Sequence, residues 1–218
     1  MLSAVIFDCD GVIVDSEPIA NRILAEGLTA IGLPTTTEES VRDYMGRSWG
    51  HMVAVVTERL GSPPPQSLAD GYREQLFEAY ASRAVPPVQG ILQALDRLDA
   101  RGIPYCVASS GDHERIRAGL ATAGVADRFT DGRIFSADDV GRGKPWPDLF
   151  LHAAREMGFD PATTAVVEDS PAGVEAGRAA GMSVLGYCAR TPCEALRAAG
   201  ARTFQTMRDL PALLTAMV

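Results

Sequence analysis

Acidic and hydroxyl side chains gather in this chain where extended runs are about to end. The stretch "FDCDG" sets Asp8 and Asp10 two residues apart. Alternate side chains of an extended segment share a face, so both carboxylates can point into one space while Cys9 turns into packing. Gly11 then lets the chain turn sharply. "ASSG" supplies the hydroxyls of Ser109 and Ser110, and "VVEDSPAG" delivers Glu168 and Asp169. Four acids in one crevice repel, since two like charges ~4 Å apart cost roughly 4 kcal/mol at an effective dielectric near 20. A cation must sit among them. Oxygen ligands without clustered His or Cys favour a hard ion, Mg²⁺ first, with water and a phosphate completing its shell.

One basic residue suits the same place. Of the 20 Lys plus Arg residues a single one is lysine, Lys144 in "GRGKPWPD". An ammonium on a flexible stem enters a crowded acidic site as a point charge, where a guanidinium fork fits less well. Lys144 is therefore read as neutralising Asp8 and binding a phosphate oxygen. Pro145 and Pro147 are expected to hold the flanking chain extended, and Asp148 to cap the helix that follows. Ser170, ahead of Pro171, reads as a second N-cap with proline at the first helical position.

The elements that must carry these groups are legible in the apolar pattern. Residues 4–7, 104–108, 164–167 and 183–186 are short, continuously apolar runs, as strands covered on both faces should be. Helical patterns lie between them at 91–101, 114–123, 148–157 and 172–180. Alternating strands and helices imply a doubly wound parallel sheet, a Rossmann-like α/β core, with ligands outside the carboxyl ends of the strands. The interval between the first two strands is too long for one crossover. It carries helical patterns such as "IANRILAEGLTAIG" and "SLADGYREQLFEAYASR". This reads as an inserted α-helical cap domain over 16–84, with the core formed by 1–15 and 85–218. "GSPPPQS" is a turn inside the insert.

Composition narrows the partners. The 218 residues are 46% hydrophobic and 22% charged, with a formal charge of -8, which suits a globular protein and argues against a nucleic-acid footprint. No basic amphipathic segment or apolar span of membrane length is present. The opening "MLSAVIFDCDG" meets carboxylates too soon for a signal peptide. Without CxxC spacing, Cys9, Cys106, Cys188 and Cys193 are read as reduced thiols of a cytoplasmic protein.

"DCDGV", "ASS", "GKPWPD" and "VEDSPAG", in this order, resemble the four motifs of the haloacid dehalogenase-like superfamily. The branch they resemble is the β-phosphoglucomutase-like phosphatases, whose helical cap is inserted after the first motif. The resemblance covers essentially the whole chain. It implies a Mg²⁺-dependent phosphomonoester hydrolase acting on a small phosphorylated metabolite, a sugar or sugar-acid phosphate, as a monomer. Asp8 would be the nucleophile and Asp10 the acid and base; Ser109 and Lys144 would hold the phosphoryl group, with Ser110 beside them. The metal would lie on Asp8, Asp169, the main-chain carbonyl of Asp10, and Glu168 directly or through water. The cap segment "GRSWGHM" offers Arg47, Trp49 and His51 for substrate contact, and Glu17 follows the first motif. Sugar-phosphate mutases of the branch carry a His where Ala20 stands and an Arg where Trp49 stands. Hydrolysis is therefore favoured, with a phosphosugar mutase as one alternative and a non-catalytic phosphate-binding module as the other. A dehalogenase would lack the second aspartate, which is present as Asp10. A phosphonate-cleaving enzyme would need a lysine in the cap, which has none.

Overall fold

β1 (Ala4–Phe7) lies in the middle of a six-stranded sheet, and all four of its residues are buried. Its sequence, AVIF, is apolar throughout because no position of a central strand in such a sheet meets water. The computed structural model describes residues 2–44, 49–82, 85–130 and 132–216. Contacts divide the chain into two units: Met1–Asp15 with Pro86–Val218, and Ser16–Val85.

After β1 the chain enters the second unit, which is helical: α1 (Glu17–Ala30), α2 (Thr37–Tyr44), α3 (Trp49–Leu60) and α4 (Gln66–Ala81). Leu24, Leu28, Tyr44, Met52, Val56 and Leu68 form its buried core. The "SPPP" run separates α3 from α4. Pro65, extended at φ -66° and ψ 151°, leads into α4.

The chain re-enters the first unit beside the point where it left. Asp15 N–H donates to Pro86 O at 2.9 Å, and Val14 bridges Pro87. The α/β pattern then runs α5 (Ile91–Asp99), β2 (Tyr105–Ser109), α6 (His113–Thr122), β3 (Ile134–Ser136), α7 (Asp148–Met157) and β4 (Thr164–Glu168). It ends with α8 (Pro171–Ala179), β5 (Ser183–Tyr187), α9 (Cys193–Ala198), β6 (Arg202–Phe204) and α10 (Leu210–Thr215). The strands lie in the order β3-β2-β1-β4-β5-β6, with every neighbouring pair parallel. Val5 aligns with Tyr105 on one side and with Ala165 on the other. The winding reverses between β1 and β4, the place where open α/β sheets bind ligands beyond their strand ends.

Four sequence expectations need correction. The edge strands β3 and β6 were not anticipated: each has three residues, too few for periodicity to register. Asp148 is not a cap; it is the first residue of α7, and its carboxylate takes both guanidinium contacts of Arg142 at 3.1 Å. The chain around Lys144 is turned rather than extended, with a cis Lys144–Pro145 bond and Trp146 N–H donating to Gly143 O. Finally, Cys188 and Cys193 form a disulfide rather than two thiols. Thr191 and Pro192 turn the chain from β5 into α9, which brings the two Cα atoms to 5.2 Å, within disulfide range. Cys9 and Cys106 are free and buried. Among the described residues no helix is long and apolar enough to cross a membrane.

Candidate active site

The β1 ladder continues one residue past the strand, because Asp8 N–H donates to Val167 O at 3.0 Å. This fixes Asp8 at the β1/β4 junction, where its side chain is buried. The chain then folds back tightly: Gly11 N–H reaches Val14 O at 2.7 Å, and both Ile13 and Val14 donate to Cys9 O. Gly11 has φ +79°, and a Cβ there would lie 2.0 Å from Asp169 Oδ2. Glycine is required twice over, by the left-handed backbone and by the carboxylate resting on it.

Lys144 reaches this junction from the loop before α7. Its ammonium donates to Asp8 Oδ1 at 2.6 Å, to Glu168 Oε1 at 2.7 Å and to the Ala108 carbonyl at 3.3 Å. Three N–H groups meet three acceptors from the ends of β1, β4 and β2. A planar guanidinium could not present that tripod. Phe150 lies beneath, its ring centroid 5.0 Å from Nζ. Glu168 is held at its other oxygen too. Oε2 accepts from the backbone N–H groups of Asp169 and Ser170 and from Ser170 Oγ, at 2.8, 2.7 and 3.0 Å. Ser170 also caps α8 by accepting from Gly173 N–H. A Cβ on Gly173 would fall 1.7 Å from Glu168 Oε1, so the carboxylate occupies the space a side chain would fill.

Asp8, Glu168 and Asp169 can each offer one oxygen within 4.8 Å of the others, and all three are buried. Lys144 places one ammonium on two of them. Burial, with Glu168 and Asp10 beside it, pushes the Asp8 carboxyl up to about 7 although Lys144 pulls it down. Asp8 and Glu168 in turn hold Lys144 charged, well above the ordinary lysine range despite its burial. A hard dication suits an oxygen-only donor set of this kind. Cys9, buried between the two aspartates, has its thiol pushed well up by burial and is inert as a nucleophile.

The other expected residues divide. Ser109 is buried at the end of β2, its Oγ accepting from Gly111 N–H at 3.2 Å, while Ser110 is exposed one residue on. Asp10 is partly exposed, and Arg115 Nη2 lies 2.9 Å from its Oδ2. Arg115 was not a sequence candidate, nor was Ser170 seen as a holder of Glu168. Their signal lay in the first turns of helices that follow the strand-end motifs, where a side chain can turn back toward those motifs. In the helical unit, Glu17 opens α1 and accepts from Asn21 Nδ2 at 2.9 Å. Trp49 is 38% exposed and packs against Tyr72 at 5.2 Å between centroids. His51 is exposed on α3, and Arg47 lies outside the described residues.

Comparison with known proteins accords with this geometry. A protein-family model described as haloacid dehalogenase-like hydrolase matches residues 2–181. The 6-phosphogluconate phosphatase of Escherichia coli is 30% identical, over 97% of this chain and 94% of that protein. The protein SUPPRESSOR OF QUENCHING 1 of Arabidopsis thaliana is 35% identical over 83% of this chain, which spans 17% of that longer protein. Among solved structures, a haloacid dehalogenase-like protein of unknown function from Agrobacterium tumefaciens superposes with a TM-score of 0.88 at 36% identity. That match covers 100% of this chain and 99% of the other.

Proposed function

The chain belongs to the haloacid dehalogenase-like hydrolases and is a phosphatase, and from that premise we propose that it hydrolyses small phosphomonoesters through a phosphorylated Asp8. A sugar or sugar-acid phosphate is the substrate class, in keeping with the likeness to a 6-phosphogluconate phosphatase.

The observation that carries this reading is the unlike treatment of two neighbouring carboxylates. Asp8 is buried in the grip of an ammonium; Asp10 is at the mouth beside a guanidinium. Two acids in different surroundings divide the roles of nucleophile and proton carrier. An Asp8 oxygen attacks phosphorus while the ester P–O bond breaks, and Asp10 passes its proton to the departing oxygen. Asp10, now a carboxylate, takes a proton from the water that attacks the phosphorylated Asp8. Phosphate leaves, and both carboxyl groups are restored. Ser109, Ser110 and Lys144 would hold the non-reacting phosphoryl oxygens, Lys144 by giving up its 3.3 Å contact with the Ala108 carbonyl. Asp8, Asp169 and the Asp10 carbonyl would hold Mg²⁺, with Glu168 binding it directly or through water. When bound, the ion offsets charge building on the phosphoryl oxygens, which is most of what phosphoryl transfer asks of a protein.

The test is Mg²⁺-dependent phosphate release across a panel of sugar, sugar-acid and nucleotide monophosphates, with Asp8→Asn as the control. Release from one class, absent in the variant, is the expected result. Interconversion of phosphosugars without free phosphate would make the protein a mutase. Ligand binding without turnover across the panel would leave only a phosphate-binding module.

A further inference from the structure

Arg115 stands where local electrostatics argue against it. It is the third residue of α6, whose start is fixed by Asp112: the Asp112 carboxylate accepts the Arg115 backbone N–H at 2.8 Å. A cation in the first turn opposes the helix dipole. Residues that break a local rule are expected where function compensates for the cost. The side chain turns back over the strand-end loop, its Cδ 3.4 Å from the place a Cβ on Gly111 would take. Nη2 then lies 2.9 Å from Asp10 Oδ2, and both side chains are partly exposed, at 32% and 22%.

The last torsion of an aspartate is broad, so a carboxyl at a site mouth does not choose its own orientation. The backbone beneath Asp10 is already fixed by its bridge to Val14. We propose that Arg115 is a positioning residue for Asp10, holding Oδ2 so that Oδ1 faces the departing oxygen. This rests on the phosphatase reading. In this role Arg115 acts through the direction of a neighbour's proton. Misplacing a reacting group by about 1 Å can cost roughly 10²-fold.

The consequence depends on the leaving group. As the Asp8–phosphorus bond forms and the ester bond breaks, an alkoxide needs the Asp10 proton, whereas a nitrophenoxide departs without it. The experiment is single-turnover product release, with Mg²⁺ and enzyme in excess, from benzyl phosphate and from p-nitrophenyl phosphate. The proteins are wild type, Arg115→Ala and Arg115→Lys. Arg115→Ala is expected to slow benzyl alcohol release by roughly 10²-fold, the lower end of what a placed acid contributes, and to slow p-nitrophenol release far less. Arg115→Lys, which keeps one donor and the charge, is expected to fall between. Equal slowing of both products in both variants would overturn the inference, as would a rise in KM alone or no change on benzyl phosphate. A wild-type protein that released neither product would overturn the phosphatase reading, and this inference with it. Wild-type release of both locates any failure in Arg115.

Discussion

Both units bury neutral polar groups, but among the described residues only the α/β unit also buries charged ones. Among the described residues, the charged residues that are buried as a whole are Asp8, Glu168 and Asp169, all at strand ends of the α/β unit, with the buried Lys144 side chain against two of them. The helical unit buries the neutral Ser16, Asn21, Thr35 and Ser40. Ser40 donates to Asn21 Oδ1 at 3.0 Å, and Asn21 in turn donates to Glu17. Neutral groups need one partner each to be buried cheaply. Buried charges need an opposite charge and further hydrogen bonds, and still return little stability. A chain keeps such a cluster where it does chemistry, and among its described residues the helical unit shows none.

Substitutions can break that contrast. The largest effect belongs to Asp8→Asn, which should lower phosphate release by about 10³-fold or more, read in a steady-state assay, because it removes the proposed nucleophile. Lys144→Arg should cost turnover roughly 10²-fold, the scale of a lost transition-state donor, since a flat fork cannot meet three strand ends. Lys144→Met removes the ammonium and strands two buried carboxylates. Denaturant titration should show about 3–5 kcal/mol of lost stability.

The acidic cluster also predicts a pH dependence. The folded Asp8 carboxyl sits at about 7, against an ordinary value of 3.8. Between those pH values the folded state binds a proton that the unfolded chain has released. Stability of the metal-free protein should therefore fall as pH rises from about 4 to about 8, by up to about 4 kcal/mol. Thermal melts of Asp8→Asn should lack that slope, and Mg²⁺ should flatten it in the wild type. The smallest effect sharpens the contrast from the other side. Ser40→Ala should cost about 1 kcal/mol of stability and leave the turnover number alone.

Legibility followed the same division. Asp8, Asp10, Glu168 and Asp169 were readable because strand geometry puts residues at the ends of apolar runs into one crevice, and the chain's single lysine suited that acidic place as a point charge. Arg115 was not readable: an arginine in a helix reads as surface, and only the capped start of α6 shows it turning back to Asp10. Cys188 and Cys193 were misread because their approach depends on a turn between β5 and α9, not on a spacing with a signature. β3 and β6 escaped because three-residue edge strands are specified by their neighbours. In the helical unit Met52 lies in the core, whereas the exposed Trp49 and His51 carry no strand-end logic that would assign them a role.

The central claim is that Asp8 becomes phosphorylated. Wild-type enzyme should be quenched in acid during turnover of a phosphomonoester with Mg²⁺, digested and mapped by mass spectrometry. The account predicts a phosphoryl group on the peptide containing Asp8, absent from Asp8→Asn. Sustained phosphate release from wild type with Asp8 unmodified at every quench time, under conditions where added acyl phosphate survives the workup, would contradict it.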